Sequence, residues 1–200
     1  LEKHFPGKAT LLVVSDHGFS PINKIILPNV VLRQSGLLDE KSKNNPVQIV
    51  VQGGAAFVYI LDESRRDELA KKISHAIGAI EQIASIVDTE HLKDYGIANP
   101  KDDPRAPDMV LFAKMGYVFG DTSSGEIPFE EKPERKGSHG HDQNFPELLA
   151  TFVAWGNGIK PGVKLGEIAN TQVTPTLARL LGIAVPSHVT SRPLTEILAE

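Results

Sequence analysis

Runs of apolar residues, and the points at which they break, lay out a series of strands and helices along the chain. Residues 10–15 (TLLVVS) are almost continuously apolar, the pattern of a central strand covered on both faces. The run stops abruptly at Asp16, His17 and Gly18, so the strand is expected to deliver an acid and an imidazole to the rim of a sheet. In open α/β folds that rim is where ligands bind. Leu27, Pro28 and Asn29 open a short helix (VVLRQSG) for which Gly36 is a stop, and KSKNNP is a polar turn. Two β-rich runs follow, VQIVVQ and AAFVYIL, and Gly53-Gly54 between them suits a tight hairpin because glycine tolerates positive φ.

Beyond Asp62 the period changes. Leu69, Ile73, Ile77 and Ile80 recur at spacings of three and four, with Arg65, Arg66, Lys71 and Lys72 elsewhere on the surface of the helix this predicts. IASIV is a further strand, and Asp88 caps a short helix that runs through Tyr95 and ends at Gly96. The stretch IANPKDDPRAP is a connecting loop. APDMVLFAK and GYVFG read as β runs, and DTSSGEIPFEEKPERKGSHGHDQN as a long loop of the kind that is usually functional or mobile. ELLATFVAWG supplies another strand, GNGIKPGVKLG a turn-rich segment, and Thr174-Pro175 the start of a helix closed by Gly182; PLTEILAE ends the chain in a helical turn.

Strands alternating with helices predict an α/β fold, with a mixed, mainly parallel sheet flanked by helices. Residues 46–104 form a β-β-α-β-α piece that is either a small α+β insert or part of the core. The 200 residues suffice for one good-sized domain. A formal charge of -4 without any basic cluster argues against a nucleic-acid or anionic-membrane partner. No apolar run approaches the roughly 20 residues of a membrane span. With no cysteine, any metal must be held by His, Asp or Glu; cytoplasm and periplasm both accommodate this, and the compartment does not follow. The chain begins at Leu1 and reaches a buried strand within ten residues, as though cut from a longer one.

Two constellations carry candidate chemistry. Asp16 and His17 are adjacent and would face opposite sides of an extended strand, so to act together they must lie in the turn that Gly18 permits. There they can ligate a divalent metal or form an acid-base pair, the plain alternative being a turn. GSHGHDQNFPEL sets His139, His141 and Asp142 among glycines; two imidazoles one residue apart can approach a common centre, and the plain alternative is a solvated loop.

Taken in order, SDHGF, APDMVLFAKMGYVFG, GSHGHDQNFPELLATFVAWGNGI and NTQVTPTLARLLGIAVP resemble the carboxy-terminal half of the alkaline phosphatase superfamily, and within it the type I phosphodiesterase/nucleotide pyrophosphatase family. The resemblance spans nearly the whole chain. It implies a partial alkaline-phosphatase-like fold and a parent enzyme that hydrolyses phosphoesters of nucleotide-like small molecules. That enzyme would use two divalent ions, typically zinc, and a covalent phospho-enzyme. It makes Asp16 and His17 ligands of one metal and His139, in its G-x-H-G pattern, a ligand of the other. His141 then lies beside a ligand or faces substrate, and Asp142 is a local hydrogen-bonding residue. Tyr117 and Phe119 match a segment near the cleft, where a core role is equally open to them. The family's nucleophilic Thr or Ser and its remaining metal ligands have no counterpart, since only fifteen residues precede Asp16. The chain alone is therefore expected to be inactive, to hold incomplete metal sites, and to expose a sheet edge able to pair with a second copy. Rival readings are phosphonate, sulfate-ester or phosphomonoester chemistry on the same scaffold, or a non-catalytic binding module.

Overall fold

The structure, a computed structural model, describes residues 3–131 and 136–199. In chain order its strands are β1 (Thr10–Val14), β2 (Ser20–Pro21), β3 (Lys24–Ile26), β4 (Val47–Gln52), β5 (Ala55–Ile60), β6 (Ile83–Val87), β7 (Met109–Ala113), β8 (Tyr117–Phe119), β9 (Phe129–Glu131), β10 (Gly137–Ser138) and β11 (Phe152–Gly156). Its helices are α1 (Pro28–Gln34), α2 (Arg66–Gly78) and α3 (Val173–Leu181). The chain divides into two units, one of residues 1–18 and 149–200, the other of residues 19–148.

In the larger unit, β4, β5, β7 and β6 lie in that order in an antiparallel sheet. The Gln52↔Ala55 pairing leaves Gly53 and Gly54 as a two-residue turn, with Gly53 at φ 66°, as the sequence predicts. Because successive side chains alternate in direction, β7 serves two layers. Met109, Leu111 and Ala113 join Leu69, Ile73 and Ile77 of α2 and Leu32 of α1 in the main core, whereas Val110 and Phe112 meet Leu92, Val87 and Ala55 on the other side. The stretch 46–104 thus supplies three strands of a sheet whose third position is taken by β7, five residues further on.

Asp108 opens β7 as a buried acid. Its Oδ2 accepts the Ile60 N–H at 2.7 Å and its Oδ1 takes the Arg66 guanidinium, so both carboxylate oxygens are paired.

The 121–144 region departs from the expected loop, since β9 pairs antiparallel with β3 and β10 pairs antiparallel with β2; residues 132–135 of that stretch lie outside the described residues. Polar side chains of α1 tie down the intervening backbone: Asn29 Nδ2 donates to Asp121 O at 2.7 Å, Arg33 Nε to Ser123 O at 2.9 Å, and Gln34 Nε2 to Glu126 O at 2.8 Å. The sheets are mixed, as expected, but parallel pairing is narrower than expected. Among the described residues it is confined to β3 with β8, while the β4–β5 hairpin and the pairings of β5 and β6 with β7, β1 with β11, β2 with β10 and β3 with β9 all run antiparallel.

In the smaller unit β1 pairs antiparallel with β11, Val14 opposite Phe152 and Thr10 opposite Gly156. Pro175, Thr176 and Ala178 of α3 are buried, and Thr176 Oγ1 both donates to Gln172 O at 2.6 Å and accepts the Leu194 N–H at 2.8 Å. That one hydroxyl ties the start of the helix to the terminal turn around Leu194 and Ile197, both buried.

Candidate functional site

Within the smaller unit, the end of β1 is fixed from both sides of Ser15. Its N–H donates to Thr151 O at 3.0 Å, and its Oγ accepts the Thr151 N–H at 2.8 Å. Asn170 Nδ2 then donates to Asp16 O at 2.7 Å, so the backbone that carries the acid is held while its carboxylate stays 87% exposed. Asp16 and His17 sit in a turn, as an acid and an imidazole acting together require. The His17 N–H donates to Asp16 Oδ1 at 3.1 Å, and His17 Nδ1 lies 2.7 Å from Gly18 O. A carbonyl can only accept, so Nδ1 carries a proton, and Nε2 faces Asp16 Oδ2 at 3.5 Å. An oxygen and an imidazole nitrogen this close form two donors of a set suited to a hard or borderline divalent ion.

The second constellation belongs to the larger unit. There β10 ends in Ser138, buried opposite Ser20 of β2, and the backbone then emerges so that His139 is exposed and His141 is 5% exposed. His141 Nε2 lies 2.7 Å from Tyr117 O and must donate to it, which leaves Nδ1 buried with no hydrogen-bond partner among the described residues. Burial pushes the His141 imidazole below its ordinary pKa; the nearby His139 acts in the same direction, and the Tyr117 carbonyl partly opposes them. The ring also meets Phe145 edge-on at 6.5 Å. Asp142 accepts from Tyr95 Oη at 3.1 Å and from Asn144 Nδ2 at 2.8 Å. Burial, with Asp142 adding to it, raises the Tyr95 phenol.

Tyr117 is half-buried and Phe119 buried in β8; Phe119 belongs to the main core and Tyr117 packs against it.

No group of three His, Asp or Glu side chains able to hold a metal occurs among the described residues. Catalytic zinc takes about three protein ligands. The donors present therefore fit part of a metal site: an Asp and a His side by side, and separately an exposed His on an anchored loop.

Sequence reasoning missed Asp108, Tyr95 and Gly54. An acid set directly before an apolar run, as in PDMVLFA, was the available sign of the first. Gly54 was marked only as a turn residue, and nothing local marked its seat against His139 and His141 or the bond from Tyr95 to Asp142, 47 residues away in the chain.

Residues 1–142 match the model of the type I phosphodiesterase / nucleotide pyrophosphatase family, and the chain belongs to that family. Among solved structures it resembles human ectonucleotide pyrophosphatase / phosphodiesterase 5 (TM-score 0.69, 18% identity, covering 96% of this chain and 46% of that one). The murine protein of the same name is similar (TM-score 0.67, 19% identity, 95% and 45% covered), as is its inactive variant in complex with AMP (TM-score 0.66, 19% identity, 95% and 45% covered). No curated protein matches the chain. At these identities the likeness is one of fold, a partial alkaline-phosphatase-like α/β arrangement, and the chain spans a little under half the length of these solved relatives.

Proposed function

We propose that the chain is the carboxy-terminal part of a metal-dependent phosphodiesterase/nucleotide pyrophosphatase-type hydrolase acting on nucleotide-like phosphoesters. In this reading residues 1–200 all belong to the alkaline-phosphatase-like domain, with 46–104 an α+β elaboration of it. The supporting observation is the family match over residues 1–142, which takes in both Asp16-His17 and His139. One solved relative holds AMP, a nucleoside phosphate, which fits the proposed substrate class.

Asp16 and His17 would hold one divalent ion, zinc being the family's usual choice, and His139 would contribute to the other. Such ions, when bound, neutralise charge on the phosphoryl oxygens. The chain's own residues hold the donors in place. Asn170 and Thr151 fix the backbone at Asp16, Gly18 O keeps a proton of His17 on Nδ1, and Tyr117 O holds the His141 ring at Nε2. The Thr or Ser nucleophile, on which the covalent phospho-enzyme would form, is supplied from outside these residues, as are the remaining ligands.

The chain is accordingly expected to bind zinc through Asp16 and His17 without turning over an activated phosphodiester. Calorimetric titration with Zn2+ should show a site that Asp16→Asn weakens at least tenfold, and the affinity should fall in acid as the ligands protonate. Robust turnover by the 200-residue chain, abolished by His139→Ala, would overturn the reading of an incomplete centre. Zinc binding indifferent to Asp16→Asn and His17→Gln would overturn the metal assignment.

A further inference from the structure

We infer that the Gly53-Gly54 turn of the β4–β5 hairpin, together with Tyr95, is a mould that fixes the backbone of His139. Gly54 and Tyr95 are then positioning residues for the metal ligand proposed above, and the inference rests on that reading for its purpose.

The hairpin encloses the backbone on and around His139. The Gly54 N–H donates to His139 O at 2.8 Å. A Cβ on Gly53 would collide with that same carbonyl, and a Cβ on Gly140 would collide with Gln52 O, so two glycines at positive φ (66° and 87°) let the two backbones approach where no side chain fits. A Cβ on Gly54 would enter the His141 ring, whose Nε2 is held by Tyr117 O at 2.7 Å. One residue further, Asp142 is held by Tyr95, whose ring stacks on Phe112 of β7 at 5.2 Å.

The turn is itself immobilised: Gly53 O accepts the Phe119 N–H at 2.8 Å and Gly54 O the Ala113 N–H at 2.9 Å, from β8 and β7 respectively. His139 is thus bracketed by Ser138, paired in β10, and by Gly140 and His141, seated on the hairpin, while its own side chain stays exposed. A solvated loop has no need of Gly140 packed against the Gly53-Gly54 turn, since glycine loses more backbone entropy on folding than any other residue. A site that must hold a ligand in one geometry does, because such constellations tolerate only about half an ångström of error.

The test compares the full 200-residue chain with Gly54→Ala and Tyr95→Phe by NMR. The first readout is hydrogen exchange at the amide of position 54, which reports the bond to His139 O, with the amides of β7 as reference. The second is the His139 imidazole resonance, assigned through His139→Asn and titrated with Zn2+. Exchange at position 54 should accelerate at least tenfold in Gly54→Ala and several-fold in Tyr95→Phe, with β7 unchanged. The single His139 signal should broaden, and its Zn2+ midpoint should rise several-fold. Exchange and imidazole signal both unchanged in the two variants would overturn the mould. If Gly54→Ala does not fold, Tyr95→Phe decides alone, since it removes one hydroxyl and keeps the stacked ring. Loss of protection in the variants beside a wild-type His139 that ignores Zn2+ would support the mould and overturn the metal role of His139.

Discussion

Strands β1 and β7 are nearly interchangeable on paper, TLLVV and MVLFA, yet they meet different fates. Every residue of β7 is buried, from 0% exposed at Val110, Leu111 and Ala113 to 7% at Phe112, because β5 and β6 flank it and apolar layers cover both its faces. In β1, Leu11, Val13 and Val14 are 41%, 49% and 48% exposed, and β11 is its one partner among the described residues. Cross-strand register stacks Leu11 against Trp155 and Val13 against Val153, which lines one face of the ribbon with four exposed apolar side chains. A continuous apolar run specifies a strand that can be covered on both sides. Whether it is covered depends on layers contributed elsewhere, and two strands alone make a marginal sheet.

The largest expected effect follows directly from this contrast. Leu111→Ala should cost about 2–5 kcal/mol, since it removes a fully buried side chain from a packed layer. Val13→Ala should cost less than about 1 kcal/mol, as exposed positions usually do. Urea denaturation followed by amide exchange in β7 and β1 separates the two. Equal costs would mean that the β1 face is covered in solution, and the comparison would break.

A smaller effect concerns Trp155, the chain's only tryptophan, which is 48% exposed. Its fluorescence should be red-shifted and readily quenched by acrylamide, and Trp155→Ser should reduce binding of a hydrophobic dye while moving the unfolding midpoint little. A blue shift that grows with chain concentration would instead show a second copy lying on this face.

What the sequence made legible follows the range of the interactions. The turn at Gly53-Gly54, the α2 stripe of Leu69, Ile73 and Ile77, and the stops at Gly36, Gly96 and Gly182 are set by neighbours within a few positions, and the structure has them there. The β2–β10 and β3–β9 ladders are not local, pairing residues more than one hundred positions apart through strands of two or three residues, too short to show a period. The same holds at the candidate site. Spacing in S-H-G-H treats His139 and His141 alike, and only the tertiary seat on Gly54 and Tyr117 makes one a buried hydrogen-bonded ring and leaves the other exposed.

The smallest expected effect sharpens the comparison by titration. On α2, the hydrogen bond from Arg65, followed by that from Lys72 at 2.6 Å, holds the Glu68 carboxyl at about 2, below its ordinary 4.5. A carboxyl whose folded value is depressed favours the fold above its unfolded value, and that contribution disappears as pH falls through the folded one. Between pH 4.5 and about 2 the larger unit should therefore lose a part of its stability that Glu68→Gln lacks from the outset. Both partners are solvent-exposed, so the effect is small and should shrink further in 0.5 M salt, roughly five times the ionic strength at which the Debye length is about 10 Å. Amides of β5 report this unit and Trp155 fluorescence the other, so the substitution should move the acid transition of the first probe and leave the second in place. A matched shift in both would mean that the two units unfold as one cooperative body, and the contrast between β1 and β7 would then describe packing within a single transition instead of two separable stabilities.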